Sequence, residues 1–204
     1  MVDKIKIVTP PGTAVYPWLK SPDVEFGQNH YKINLALEEK AASPLMKKID
    51  DLLSSFLEEI SKKSKKKIVT ENLPYYKEKD DEGNETGNII FKFKMKASYQ
   101  DKKTNQLVPM KPAIFDSTRK PCKEDVWGGS VVRVSGMAVP YFQNKAGVTL
   151  RLSAVQVLEL ATGNQSSGDA YGFNEEEGYI APTQKDSFEE TQSEKALPEE
   201  DEDF

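Results

Sequence analysis

The residues of this chain best suited to chemistry are cations interleaved with aromatic rings. Tyr16, Trp18 and Lys20 share one short stretch, His30 and Lys32 follow, and Lys92, Lys94 and Lys96 alternate with apolar residues. Arg119 and Lys120 are adjacent, and Arg133, Tyr141 and Arg151 come later. Cations neutralise phosphates, and flat rings stack on bases of any identity, so this is the residue set that sequence-independent binding of a single nucleic-acid strand requires. Each residue also has a plainer role open to it. The lysine stripe suits the solvated face of an antiparallel sheet, and Tyr16 and Trp18 suit an aromatic plug closing a barrel. Trp127, beside Gly128 and Gly129, reads as a core or turn position, whereas Tyr75 and Tyr76 suit either loop packing or stacking.

Catalytic patterns are missing. The one histidine, His30, and the one cysteine, Cys122, cannot build a Cys/His zinc site within one chain, and their separation in distant segments argues against a nucleophilic triad or dyad. No GxxxxGKS/T phosphate loop, GxSxG elbow or HExxH motif occurs. Carboxylates are densest after residue 168, where nothing positions them for two-metal chemistry. No enzyme, catalytic residue, metal or cofactor is therefore expected.

The formal charge of -5 is an average of two unlike parts. Residues 169–204 hold 13 acidic residues and two lysines, a net of -11, while the first 168 residues carry 26 basic and 20 acidic side chains, a net of +6. The chain is a basic domain with an acidic appendage, and such asymmetry points to electrostatic partners. No apolar run approaches the roughly 18 residues of a membrane span, and MVDKIKIV lacks the layout of a signal peptide. A cytosolic protein with no membrane partner is expected.

The elements that must position these residues are mostly strands. KIKIV, TAVYPWL, HYKINLAL, IIFKFKMKASY, LVPMKPAIFD, SVVRVSGMAVPYF and VTLRLSAVQVLEL read as strands, with a hairpin turn at QNKAG. On HYKINLAL, Tyr31, Ile33, Leu35 and Leu37 share one face, leaving His30, Lys32 and Asn34 on the other. Likewise Ile89, Phe91, Phe93 and Met95 oppose Lys92, Lys94 and Lys96. Apolar residues at three- and four-residue spacing predict an amphipathic helix over residues 43–63, with Ser43 as N-cap and Pro44 at the first helical position. The lysines at 62–67 then cap its negative end. NLPYY and KEKDDEGNETGN read as loop. The expected fold class is α+β, mainly β: an OB-like five- to seven-stranded antiparallel barrel with one long inserted helix. Residues 1–165 form this domain, and residues 166–204, too polar to offset the entropy of ordering, form a disordered acidic tail.

The ending EEDEDF, joined to a basic β-rich domain, resembles the single-stranded DNA-binding proteins of podoviruses and related tailed phages. AVYPWL, the long helix after HYKINLAL, and GVTLRLSAVQVLEL are similar to that family as well. The resemblance implies an OB-fold that binds single strands with little sequence preference in phage replication, recombination and repair. It also implies action in the cytoplasm of an infected bacterial host. By the same resemblance, Glu199, Glu200, Asp201, Glu202, Asp203 and Phe204 dock on the phage DNA polymerase or primase-helicase, and the tail competes for the DNA groove. A homodimer formed through the tail is compatible with this layout. The alternative from another class is a protein-interaction or chaperone module whose acidic tail binds basic clients.

Overall fold

The computed structural model describes residues 4–25, 29–63, 68–71 and 73–161. The chain divides into two units, Met1–Asn164 and Gln165–Phe204. The expected acidic tail and the lysines at 65–67 lie outside the described residues.

Burial of alternate residues organises the sheet. In β3 (His30–Glu38) and β5 (Glu85–Lys96), Ile33, Leu35, Phe91 and Phe93 point inward and none is more than 1% exposed. Each such side chain contributes about 1.5–3 kcal/mol on leaving water. They meet Ala14 and Leu19 of β2 (Gly12–Asp23), Val132, Val134 and Ala138 of β9 (Val131–Phe142), and Leu150, Leu152 and Val155 of β10 (Ala146–Glu159) in one buried cluster.

These five strands close on themselves. The order runs β2, β3, β5, β10, β9, and β9 pairs back to β2 at Val131 and Val132. The joint between β5 and β10 is parallel, at Leu150 opposite Phe93 and Arg151 opposite Lys94. The result is an OB-like barrel, closed through one parallel pairing where sequence patterning suggests antiparallel strands throughout. Period-two alternation assigns a residue's face but not its strand's neighbour. Outside the ring, β1 (Ile5–Val8) pairs with β9, β4 (Tyr75–Lys79) with β5, and β8 (Ala113–Phe115) with β10. A separate hairpin joins β6 (Ser98–Gln100) to β7 (Leu107–Pro109). Between β1 and β2, Thr9 preserves the ladder ahead of Pro10 and Pro11. Its N–H donates to the Val134 carbonyl at 3.0 Å, and its Oγ1 accepts from the Val134 N–H at 2.9 Å.

LVPMKPAIFD, expected as one strand, divides into β7 and β8, and IIFKFKMKASY into β5 and β6; two further elements differ from the sequence reading. The helix α1 spans Glu39–Lys63, so Pro44 is an interior residue and Ser43 is not a cap. The buried stripe of α1 starts before the proline: Ala42, Leu45, Ile49 and Leu52 all join the core cluster. Packing of this stripe against the barrel outweighs the hydrogen bond to the Lys40 carbonyl that Pro44 cannot make. The second difference is β4, which forms a hairpin with β5 where a loop was expected. Its turn is held by the Asp80 carboxylate, which accepts from the N–H groups of Glu82 at 3.0 Å and Asn84 at 2.8 Å. An edge strand with most residues solvated can be as polar as a loop, so YYKEK carries little strand signal.

Among the glycines of the described residues the tightest position is Gly136, where a Cβ would stand 2.3 Å from the Arg151 carbonyl oxygen. The strands β9 and β10 shift register there, between Leu152 and Ala154. Gly136→Ala should therefore lower stability by about 1–3 kcal/mol, read as a reduced urea midpoint. An unchanged midpoint would contradict this packing.

Candidate nucleic-acid interface

The inward side chains of β3 and β5 leave their neighbours on the outer face. Opposite one another stand His30 and Lys96, Lys32 and Lys94, and Asn34 and Lys92. On the other edge of β3, Trp18 pairs with Lys32, and on the other edge of β5, Arg151 pairs with Lys94. Trp18, Lys32, Lys94 and Arg151 thus form one row across four strands, spanning about 14 Å at ~4.8 Å per strand. Lys92, Lys94, Lys96 and Arg151 are exposed, and among the described residues none has a carboxylate partner. Like charges directly across a strand pair are destabilising, so the Lys32–Lys94 pairing opposes folding while concentrating positive potential.

Aromatic rings border this field. Lys32 Nζ lies 5.8 Å from the centre of the Trp18 ring, which is 42% exposed. Tyr16 is 75% exposed. It sits where three residue steps of β2 oppose two of β3, between Val15 and Trp18, and takes φ 47°. That left-handed conformation costs a non-glycine residue about 1–2 kcal/mol, a strain of the kind that collects at functional sites. The aromatic-plug reading of Tyr16 and Trp18 does not hold, because neither ring is in the core.

One residue of this face was not singled out by sequence, and a second was left between packing and stacking. Asp23, whose side chain is 11% exposed, forms an ion pair with Lys32 and accepts from the Glu25 N–H at 3.0 Å. It is an internal anion that any phosphate on Lys32 must displace or share. Tyr76 lies on the lysine side of β4, with Lys92 Nζ 4.5 Å from its ring centre. Its neighbour Tyr75 faces the opposite way and donates to Asp50 Oδ1 at 2.7 Å. Alternation within a strand separates the two tyrosines, but that strand was unrecognised.

The remaining nominated residues, His30 excepted, stand elsewhere. Lys20 is also on β2 but is paired with Asp125 at 2.9 Å. His30 belongs to the lysine face, with its Nδ1 buried and without a partner among the described residues. Past Leu152, β10 exchanges its neighbour β5 for β8, and Arg133 and Arg119 flank a separate cleft there, with Val8, Phe115 and Ala154. Arg133 Nε donates to the Thr9 carbonyl at 3.0 Å. Arg119 takes φ 70° in a turn whose Asp116 carboxylate accepts from the Lys120 N–H at 2.9 Å. Tyr141 lies at the β9–β10 hairpin, its hydroxyl 2.6 Å from where a Cβ on Gly147 would stand. Burial and the nearby Glu71 raise its pKa, and that carboxylate disfavours a phosphate beside it. Trp127 is in a turn closed by the Ser130 N–H on its carbonyl at 3.2 Å, and its ring is exposed rather than in the core. No group of residues able to hold a metal ion occurs among the described residues.

Residues 12–160 match the family described as single-stranded DNA-binding protein, bacteriophage T7. A single-stranded DNA-binding protein of Enterobacteria phage T3 is 30% identical, covering 95% of this chain and 94% of that protein. One from Escherichia phage T7 is 34% identical over 59% of this chain and 58% of its own. Among solved structures, the crystal structure of gp2.5, a single-stranded DNA-binding protein encoded by bacteriophage T7, aligns with a TM-score of 0.63. It is 26% identical, and the alignment covers 79% of this chain and 95% of that one. The single-stranded DNA-binding protein of bacteriophage Enc34 in complex with single-stranded DNA shares the fold, with a TM-score of 0.56 and 15% identity over 76% of this chain and 86% of that one.

The pair of Asp23 with Lys32 sets a pH dependence. The hydrogen bond from Lys32, then the Glu25 N–H, holds the Asp23 carboxyl below its ordinary value of 3.8. Its stabilising contribution is present above the unfolded-state value and is lost as pH falls through the depressed folded value. Asp23→Asn should therefore lose less stability than the wild type between about pH 6 and about pH 2.5, read by urea midpoints at both.

Proposed function

The chain belongs to the bacteriophage T7 family of single-stranded DNA-binding proteins, and on that footing we propose that its lysine face holds single-stranded DNA of any sequence. The observation that carries this reading is the row of Trp18, Lys32, Lys94 and Arg151 across the barrel. The barrel's second and third strands, β3 and β5, present it, and that face is where OB-folds bind oligonucleotides. Lys32, Lys94 and Arg151 take phosphates, while Trp18 and Tyr16 take bases without reading their edges. Lys92, Lys96 and His30 widen the same field, whereas Arg119, Lys120, Arg133 and Tyr141 are outside it. Binding alone performs the task in phage DNA replication, recombination and repair, so no catalytic residue, metal or cofactor is assigned. The protein acts in the cytoplasm of the infected bacterial host.

The acidic segment 169–204, with its net charge of -11, competes with DNA for the basic domain. Through Phe204 and the carboxylates of Glu199, Glu200, Asp201, Glu202 and Asp203, it recruits the phage DNA polymerase and primase-helicase. Charge complementarity between this segment and the first 168 residues, whose net charge is +6, supports the competition.

Affinity for poly-dT measured against salt tests the interface. Each phosphate contact on a single strand contributes about -0.7 to the slope of log K against log salt. Lys94→Gln and Arg151→Gln should each flatten that slope by about this amount, and Arg119→Gln should leave it unchanged. The reverse pattern would move the strand to the other cleft. No binding by the full chain or by the chain lacking residues 169–204 would favour a protein-interaction module. Deleting residues 169–204 should tighten binding, most clearly at low salt; unchanged or weaker binding would remove the competition.

A further inference from the structure

We infer that Tyr76 is a second base-stacking platform, on a strand outside the barrel, at the margin of the lysine field diagonally across from Trp18. The inference rests on the lysine face being the DNA-binding face.

The strand β5 has two successive neighbours on the side away from β3. Around Phe93 and Lys94 that neighbour is β10, whereas from Phe91 back to Ile89 it is β4. Tyr76 pairs with Ile90, which shares its face with Lys92 and Lys94. The two rings stand at different levels: the row of Tyr76 runs through Ile90 and Ala36 to Thr13, whereas Trp18 lies in the row of Lys32 and Lys94, four residues along β5, so the cations lie on the diagonal between the rings. The same local pairing recurs at both margins: Lys32 stands 5.8 Å from the Trp18 ring centre, and Lys92 stands 4.5 Å from that of Tyr76. A strand running diagonally between them passes Trp18, then Lys32, Lys94 and Lys92 for its phosphates, then Tyr76.

The platform is also held in place. Pro74 is buried, and its carbonyl accepts from the Lys92 N–H at 2.9 Å. Tyr75 packs its ring 5.5 Å from that of Phe91 and donates to Asp50 Oδ1 on α1 at 2.7 Å. Burial and that carboxylate push the Tyr75 phenol far above its ordinary value, so it remains a donor. With β4 fixed to both barrel and helix, Tyr76 remains 44% exposed. Covering Ile90, which is 2% exposed, requires an apolar side chain but no aromatic face, and this difference separates a stacking residue from a lid.

The test uses the full chain and oligo-dT carrying 5-iododeoxyuridine. Stacking on a protein ring has a truncation cost that corresponds to about a five-fold or greater loss of affinity. Tyr76→Leu, which still covers Ile90, should weaken binding by at least about that factor. Tyr76→Trp should bind like the wild type, and ultraviolet light should cross-link the wild type at Tyr76. Equal binding by Tyr76→Leu and the wild type, or cross-links confined to Trp18 and Tyr16, would overturn the inference while leaving the DNA-binding face intact. Failure of the wild type itself to bind would overturn both.

Discussion

Burial of Phe91 and Phe93 is the constraint on which the rest of this molecule depends. Both are fully enclosed in the barrel, and because a strand alternates its faces, Lys92 and Lys94 have no choice but to face outward. The same holds for Ile33 and Leu35 on β3, which oblige Lys32 and Asn34 to stand beside those lysines. A one-residue slip would bury the lysines and expose the phenylalanines, so the core that stabilises the domain also locks the register of its cations. The binding face is thus the outer side of the core itself.

Closure of the barrel completes the row. Without the parallel pairing of β5 with β10, Arg151 would have no fixed position relative to Lys94. Gly136 permits the close approach of β9 to the Arg151 carbonyl of its neighbour β10, which ties a packing requirement directly to a cation. Some features of the face oppose folding: lysine stands opposite lysine, and Tyr16 takes a left-handed conformation. Asp23 offsets part of the first by pairing with Lys32. A face serving only solubility has no need of such conflicts, which are expected where binding a polyanion relieves them.

Period-two alternation made β3 and β5 legible, including which residues face inward, because a half-buried strand writes its burial directly into the sequence. The basic face followed from that pattern. What escaped was set by contacts distant in sequence. The helix begins before Pro44 because Ala42 packs in the core, and local cap chemistry points to Ser43 instead. The strand β4 escaped because its charged residues at a solvated edge look like loop, and with it went the distinction between Tyr75 and Tyr76. Residue type alone nominated Arg119, Arg133 and Tyr141 alongside Lys94 and Arg151. Only the exchange of β5 for β8 along β10 separates Arg119 and Arg133 from the lysine field. Asp23 was missed because an acidic residue is invisible to a search for cations, although it is the lysine field's own counter-ion.

A structure of the full chain with bound oligo-dT would examine the central assignment most directly. Phosphates within hydrogen-bond reach of Lys32, Lys94 and Arg151, with a base against Trp18, are the expected result. A strand seated in the cleft between Arg119 and Arg133, with the lysine face bare, would contradict it.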